Sequence, residues 1–412
     1  MKTAKGPRLH RAYMVFAGVS LYYFVAYGLL YSGFGLFLSP MSEELGIPYI
    51  QLSFTTTVRV LAGMVTTSFI GAIFSRVKLR WFLGAALTGL AATLFLLSVS
   101  SALWQFLSIF FVMGLLCGLT LYGIVPILLN QWFEAPATLI TTASACGGAG
   151  GIVLCPILSQ VILHWGWRAG YQFMALMVLL VMLPITLVLF DFSPQDRGLS
   201  PLENGKTSRE AAPAAGPEEN GGKQGILILI TLFFLISALA GGMYSHISSL
   251  LLSKGFASLS ASLLIGCYQA GTTALQFLSG PLSTRIGLGR TLTATLTLTA
   301  LGAGAMVFFS VSSPLLLVIP AVFLVGGGRM FTALNPLFAR SVFGPEQFNG
   351  TYPKLQSIYL VGTAVTSVIY GGIYSETGSY AGTLWLMAGC MAALLIISHT
   401  ILLLMKREKQ AC

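Results

Sequence analysis

This 412-residue chain has very few charged residues: they make up 8% of it, whereas 56% is hydrophobic. A soluble protein carries roughly three times as much charge, so the composition excludes a soluble class. The sequence also contains no Walker segment, no HExxH motif, and no metal-type spacing of Cys and His. Its six cysteines form no CxxC pair, and five of them lie within apolar runs. These absences exclude an ATP-driven pump within the chain and predict no enzyme, no metal and no cofactor.

Long apolar runs dominate what is present, and the mean hydropathy is +0.84. A helix needs roughly 20 apolar residues to cross roughly 30 Å of hydrocarbon. The runs therefore predict an all-α membrane protein with twelve transmembrane helices. We place the spans at 12–38, 50–75, 80–99, 103–129, 137–163, 168–192, 225–252, 259–284, 288–311, 314–341, 349–375 and 379–405.

A polar stretch at 193–224, rich in Pro, Glu, Asn, Gly and Lys, is the one candidate linker. It divides the spans into six plus six. We therefore predict an N-terminal half at 1–192, a cytoplasmic linker at 193–224, and a C-terminal half at 225–412.

Two short matches indicate that the halves are repeats. Residues 71–76 follow the second span, and 280–285 follow the eighth, 209 residues later. Residues 125–130 in the fourth span are echoed by 335–340 in the tenth, 210 residues later. Two six-helix repeats around a midplane site are typical of secondary transporters.

The net charge of +10 is distributed as a topology signal and not as a nucleic-acid surface. With loops assigned alternately to the two sides, eighteen of the 22 basic residues fall on the side of the N-terminus. Arg168 and Lys254 alone fall on the other side, and two arginines lie within spans. Because basic residues mark the cytoplasmic side, we expect both termini in the cytoplasm.

The segments 71–76 and 280–285 resemble the loop motif Gly-x-Leu-Ala-Asp-Arg of the major facilitator superfamily, with Ser75 and Thr284 replacing the acid. Within that superfamily, the chain resembles the bacterial monocarboxylate carriers and oxalate/formate exchangers. The segments that carry this likeness are 32–46, 130–133, 164–168, 246–255, 343–344 and 371–380. The resemblance covers nearly the whole chain. It implies a location in a bacterial inner membrane and alternating access, with spans one, four, seven and ten around the substrate path.

The chain departs from these relatives at positions where they carry positive charge. After Asn-x-Trp-Phe it has Glu134-Ala-Pro-Ala in place of a basic segment. Gln276 stands where the eighth span of relatives often has arginine, and Gln356 where the eleventh has lysine. Two anion-binding positions of the relatives are therefore neutral here, and Gln276 is kept as a candidate substrate contact.

Two arginines lie within spans: Arg59 near the middle of the second and Arg329 near the middle of the tenth. All twelve acids fall in loops or at span ends. An ionisable residue at the bilayer centre costs about 2.5–3.5 kcal/mol, and a guanidinium cannot shed its charge. We therefore expect an electropositive cavity in which arginine clamps a carboxylate bidentately. The alternative is a structural role on backbone carbonyls, such as those exposed by the glycines at 326–328.

Four further residues are candidates to shape the pocket. His246, in the seventh span, titrates near neutral pH and suits a proton carrier or a substrate hydrogen bond. Tyr31 and Tyr122 lie in spans that the resemblance places around the path, and Asn335 adjoins Pro336 in the tenth. The alternative for His246 is a satisfied polar residue near the outer face, and for the tyrosines it is packing.

Small residues at 147–151, Gly-Gly-Ala-Gly-Gly, predict a close helix–helix contact in the fifth span. Such residues let helix backbones approach where lipid gives no hydrophobic drive.

These observations predict a secondary active transporter of a small organic anion, a mono- or dicarboxylate, working by anion exchange or proton symport. The anion is expected to bind between Arg329 and Arg59, and exchange and symport stay open because His246 is the one titratable carrier. Two alternatives are an exporter of amphipathic drug-like compounds and a non-transporting membrane sensor. The expected partners are the anion and the lipid bilayer, without nucleic acid, and the expected state is a monomer.

Overall fold

The computed structural model of the protein is almost entirely helical. It describes residues 6–74, 76–191, 193–202 and 222–411. Within these ranges the one extended pairing is a bridge between Phe133 and Leu202, so the all-α prediction is confirmed there. Ser75 and most of the predicted linker, 203–221, lie outside the described residues.

The lipid environment explains the helical content, because backbone N–H and C=O groups in hydrocarbon must be hydrogen-bonded within the protein. The first half of the chain contains α1 Gly6–Val25, α2 Leu38–Leu45, α3 Tyr49–Phe74, α4 Leu79–Val99, α5 Leu103–Thr120, α6 Ile124–Trp132, α7 Ala137–Met177 and α8 Leu183–Leu189. The second half contains α9 Gly222–Gly241, α10 Met243–Ser253, α11 Ser258–Ile286, α12 Leu288–Phe308, α13 Leu315–Val325, α14 Phe331–Thr377 and α15 Ala381–Ala411.

Nine helical stretches of the described residues are long and apolar enough to cross a membrane. Two of them, Ala137–Leu189 and Phe331–Thr377, are 53 and 47 residues long, far beyond the roughly 20 that one crossing needs. Each is interrupted by a glycine with positive φ: Gly166 at 81° in the first and Gly344 at 74° in the second. The prediction of twelve spans stays a prediction, since the more polar α11 and the short α13 are not among the nine.

The chain forms two compact units. The first comprises Met1–Lys206 with Tyr352–Ser357, and the second comprises Thr207–Thr351 with Ile358–Cys412. In the first unit α3 packs against α5, and both α1 and α4 pack against α7. In the second, α12 packs against α13 and α15, and α9 packs against α15. The predicted domain bounds stay a prediction.

Glycines mark the closest helix contacts in both units. A Cβ added at Gly150 of α7 would lie against the carbonyl of Phe24 in α1, far inside van der Waals contact. In the second unit, Gly271 of α11 meets the carbonyl of Phe323 in α13 in the same way. The predicted close contact at 147–151 is therefore present in the structure.

Helices are broken within the stretches predicted as spans one, four, seven and ten. The first becomes a π-helix at Ala26–Tyr31 and a 3-10 helix at Gly33–Leu36. The fourth is interrupted between α5 and α6, and the seventh at Gly242 between α9 and α10. The tenth passes from α13 to α14 through a 3-10 turn at Gly326–Arg329.

Side chains donate to backbone carbonyls at each of these breaks. The pairs are Arg59 to Leu30 at 2.6 Å, Tyr22 to Thr120 at 2.7 Å, Tyr370 to Leu239 at 3.0 Å, Thr272 to Gly326 at 2.7 Å, and Gln276 to Arg329 at 3.2 Å. Irregular backbone at membrane depth is tolerated where protein satisfies it or where it lines a cavity. The protein therefore satisfies carbonyl groups at these breaks. In membrane carriers, discontinuous helices of this kind form binding sites.

Candidate substrate site

Arg329 is the buried cation of the second unit. It ends the 3-10 turn Gly326–Arg329, and only 8% of its surface is exposed. Its guanidinium carbon lies 3.8 Å from the ring centroid of Tyr244, which comes from α10. Stacking on an aromatic face stabilises the cation. A planar guanidinium has the shape that matches a carboxylate.

Gln276 of α11 fixes the backbone at this turn. Its Nε2 donates to the carbonyl of Arg329 at 3.2 Å and to Oγ1 of Thr332 at 2.7 Å. Because the Arg329 carbonyl can only accept a hydrogen bond, the Gln276 amide must direct its Nε2 toward it. Its Oε1 therefore points away from that carbonyl. Gln276 is 4% exposed, and Oε1 has no hydrogen-bond partner among the described residues.

Asn335 presents a second buried acceptor further along α14. Its Nδ2 donates to Oγ of Ser237 at 3.2 Å, and that hydroxyl in turn donates to the carbonyl of Phe234 at 2.8 Å. The hydroxyl proton is therefore committed, and Asn335 has to be the donor. Asn335 is 1% exposed, and its Oδ1 lacks a partner within the described part of the chain. A buried acceptor left unpaired costs about 1–3 kcal/mol.

His246 lies apart from this group. It is two residues after Tyr244 on α10, which places the two side chains roughly 200° apart around the helix. The half-buried imidazole sits 5.6 Å from the ring of Tyr370 and 5.9 Å from that of Tyr380, centroid to centroid. Its Nε2 has no hydrogen-bond partner among the described residues. The structure thus groups His246 with tyrosines of α14 and of the turn before α15.

Arg59 is the buried cation of the first unit, at 5% exposure on α3. One amino group donates to the carbonyl of Leu30 at 2.6 Å, inside the π-helical break. The guanidinium carbon is 4.3 Å from the ring centroid of Phe34, in the adjoining 3-10 turn. These contacts fit the alternative in which an arginine stabilises freed carbonyls, while its Nε has no partner in the described residues.

Tyr122 and Tyr31 lie in the same region of the first unit. Tyr122, which follows α5, is 2% exposed, lies near Arg59 and Tyr31, and has a hydroxyl without a partner in the described residues. Tyr31 is half-buried, with its ring centroid 5.3 Å from that of Tyr27. Three predicted residues are therefore brought together here. That one anion lies between Arg59 and Arg329 stays a prediction.

We expect Arg59→Gln to destabilise the protein. The substitution removes the cation from Leu30 and Phe34, and a lost charge-assisted hydrogen bond is worth about 1.5–3 kcal/mol. Thermal unfolding in detergent should shift downward, whereas the matched change at exposed Arg76 should have no effect. A raised KM for transport at unchanged stability would instead assign Arg59 to the substrate.

Several segments that carry the sequence resemblance meet at helix ends. Glu44 of α2 accepts from Nε1 of Trp167 at 2.7 Å and forms an ion pair with Arg168. Trp132 donates from Nε1 to the carbonyl of Asp191 at 3.1 Å. The rings of His246 and Tyr380, which belong to two further segments, lie 5.9 Å apart, centroid to centroid. Some of these segments therefore pack against one another.

The sequence reasoning missed Tyr244, Phe34, Thr332 and Ser237 as neighbours of the candidates. Tyr244 comes two residues after Gly242, and the Gly241-Gly242 pair was the available signal for a broken helix there. The other three contacts join distant parts of the chain and leave no local signal.

Broken apolar helices with buried arginines beside the breaks define a class, the multi-pass membrane carriers. A family model described as Major Facilitator Superfamily matches residues 19–352 and, in a second match, residues 230–411. The chain belongs to the Major Facilitator Superfamily and is a transporter that acts on a small molecule. No curated protein matches the sequence. The likeness to monocarboxylate carriers and oxalate/formate exchangers stays a prediction.

Solved structures share the fold at low sequence identity. The human organic anion transporter MFSD10 (TETRAN) is similar with a TM-score of 0.68 and 14% identity, covering 96% of this chain and 100% of its own. The Major Facilitator Superfamily transporter FucP in the outward conformation is similar with a TM-score of 0.70 and 13% identity, covering 94% of this chain and 98% of its own. A variant of the E. coli fucose:proton symporter FucP is similar with a TM-score of 0.70 and 12% identity, covering 95% of this chain and 99% of its own. At these identities the likeness shows the fold alone.

Proposed function

We propose that this protein moves a small carboxylate across the membrane by alternating access. The observation that carries the proposal is Arg329, a buried guanidinium on a broken helix, stacked on Tyr244. A permanent cation at that depth repels cationic cargo and attracts anions. The similarity in fold to a protein described as an organic anion transporter is consistent with this class of cargo.

Two buried acceptors, one on the side chain that bonds the carbonyl of Arg329 and one further along α14, favour a carboxylate that also carries a hydroxyl group. Oε1 of Gln276 and Oδ1 of Asn335 both need a donor, and a simple carboxylate has none. The Gln276 amide bonds to Thr332, which lies three residues before Asn335 and on the same face of α14. The amides of Gln276 and Asn335 therefore border the same stretch of that helix. A hydroxy acid would satisfy an acceptor while its carboxylate pairs with Arg329.

The membrane arrangement we propose has twelve spans and both termini in the cytoplasm of a bacterium, with the monomer as the working unit. The excess of basic residues on the N-terminal side supports this orientation. The breaks at Gly166 and Gly344 support dividing each of the two longest helical stretches into two spans.

Counterflow in proteoliposomes tests the cargo directly. Vesicles preloaded with one carboxylate are given a labelled one, in pairs that differ by a hydroxyl, such as 2-hydroxypropionate with propionate and 2-hydroxysuccinate with succinate. We expect uptake of a labelled anion, with the hydroxylated member preferred about tenfold, the value of one net hydrogen bond. Absence of counterflow for every carboxylate would contradict the proposal, and equal rates within each pair would contradict the hydroxyl preference alone.

Coupling is tested with the same vesicles. Exchange needs no titratable group, because each anion neutralises the site for its own crossing. Proton symport instead predicts accumulation driven by a lower external pH, lost in His246→Gln. Counterflow without accumulation under the pH gradient would assign exchange.

A further inference from the structure

A cavity of about 520 Å³ lies in the second unit, outside the residues around Arg329. It is formed where α11 ends, where α12 begins, beside α14, and along α15 between His399 and Met405. In the sequence, the apolar run of α12 starts near Leu288, and that of α15 stops at Met405, directly before Lys406. Since apolar stretches end where hydrocarbon ends, the cavity lies at the level of lipid headgroups.

One side of the cavity is polar and basic. Arg290, Thr293, Ser341 and His399 line it, and no acidic residue is among the lining residues. Arg290 is in the first turn of α12 and is exposed, so its guanidinium has access to a ligand.

His399 is held in the wall by a short hydrogen-bond network. Its Nδ1 faces the carbonyl of Leu395 at 2.9 Å, and its Nε2 faces Oγ1 of Thr293 at 3.3 Å. Thr293 donates its own proton to the carbonyl of Gly289 at 2.9 Å, so its oxygen is left as an acceptor.

The other side of the cavity is apolar and opens toward the surface. Leu402, Leu403 and Ile286 line it, and the last two are 59% and 39% exposed. At the headgroup level such exposed leucine and isoleucine side chains face acyl chains. A soluble anion would gain nothing from this wall, whereas a molecule with a phosphate and a hydrocarbon tail would use both sides.

We propose that this cavity binds an anionic phospholipid, with its phosphate at Arg290 and the upper part of an acyl chain along Leu402 and Leu403. Basic pockets between membrane helices recognise anionic headgroups through this combination of charge and depth. The site is separate from the proposed substrate site, so it offers a means by which membrane composition acts on the carrier.

The test uses the full-length protein in mild detergent, titrated with phosphatidylglycerol or phosphatidylcholine, with bound lipid counted by native mass spectrometry. The wild type should retain phosphatidylglycerol in preference, and Arg290→Gln should weaken its apparent affinity about fivefold. Arg76→Gln removes the same charge from an exposed position in the first unit and should change nothing. Equal retention by Arg290→Gln and the wild type overturns the proposal, as does equal retention of the two lipids.

Two further experiments distinguish binding of a lipid from binding of free phosphate and control for misfolding of the variants. Leu403→Asn should reduce retention if an acyl chain lies on that wall, and excess inorganic phosphate should not displace the lipid. Unchanged retention by Leu403→Asn together with displacement by phosphate overturns the lipid assignment. Ser341→Trp, which fills the cavity without changing charge, should also reduce retention, and its melting temperature verifies the fold.

Discussion

Arg329→Gln is expected to abolish carboxylate counterflow while leaving the protein folded. Glutamine retains much of the side-chain length and can lie on Tyr244, but it removes the charge and the paired N–H groups. Truncating one partner of a buried hydrogen-bonded charge pair costs about 2–5 kcal/mol. We therefore expect a fall on the order of a hundredfold in the counterflow rate at low substrate concentration.

Arg329→Lys and Arg285→Gln complete this series. Lysine preserves the charge without the planar fork, so an intermediate rate is expected. Arg285, in the last turn of α11, is exposed, and its replacement should leave counterflow at the wild-type level. Normal counterflow by well-folded Arg329→Gln would refute the proposed site. An identical loss in Arg285→Gln would show that the rate depends on the total charge of the protein and not on Arg329 in particular.

Gly150→Leu is expected to have the largest effect on stability. A Cβ at Gly150 already meets the backbone of Phe24, and backbone cannot swing aside as a flexible side chain does. The reverse approach is also too close for a side chain, because a Cβ at Gly28 would lie 2.7 Å from the carbonyl carbon of Gly150. Forcing α1 away from α7 should cost about 3 kcal/mol or more, so the melting temperature in detergent should fall steeply.

Gly266→Leu supplies the matched control for this change. Gly266 is also a helical glycine, on α11, but a Cβ built there meets nothing within 4 Å. Its replacement should leave the melting temperature unchanged or raise it, since leucine favours helix over glycine. Equal melting temperatures for Gly150→Leu and the wild type would show that the α1–α7 contact yields easily.

Hydropathy located helix ends well and helix breaks poorly. The predicted spans 50–75 and 80–99 correspond to Tyr49–Phe74 and Leu79–Val99, because the apolar runs stop at polar residues that cannot enter hydrocarbon. The run 12–38 was predicted as one span, yet the structure changes to π and 3-10 geometry after Val25. Hydropathy averages over side chains and carries no information on backbone hydrogen bonds.

The candidate site shows the same division. Arg329 was identifiable from sequence because a cation within an apolar run is rare, and the three preceding glycines indicated irregular backbone, which the structure has as a 3-10 turn. Its partner Tyr244 carries no comparable signal, and the sequence points instead to His246 on the same helix. The two residues point to different sides of α10, and only the packing of α10 decides which one meets the arginine.

Arg329 also has an electrical consequence for the proposed exchange. A guanidinium keeps one positive charge at every physiological pH, so a bound monoanion gives a neutral complex and a dianion gives a complex with one negative charge. A membrane voltage of 100 mV acts on each uncompensated charge with about 2.3 kcal/mol. Swapping like anions would therefore be indifferent to voltage, whereas swapping a dianion for a monoanion would carry current and be driven by it.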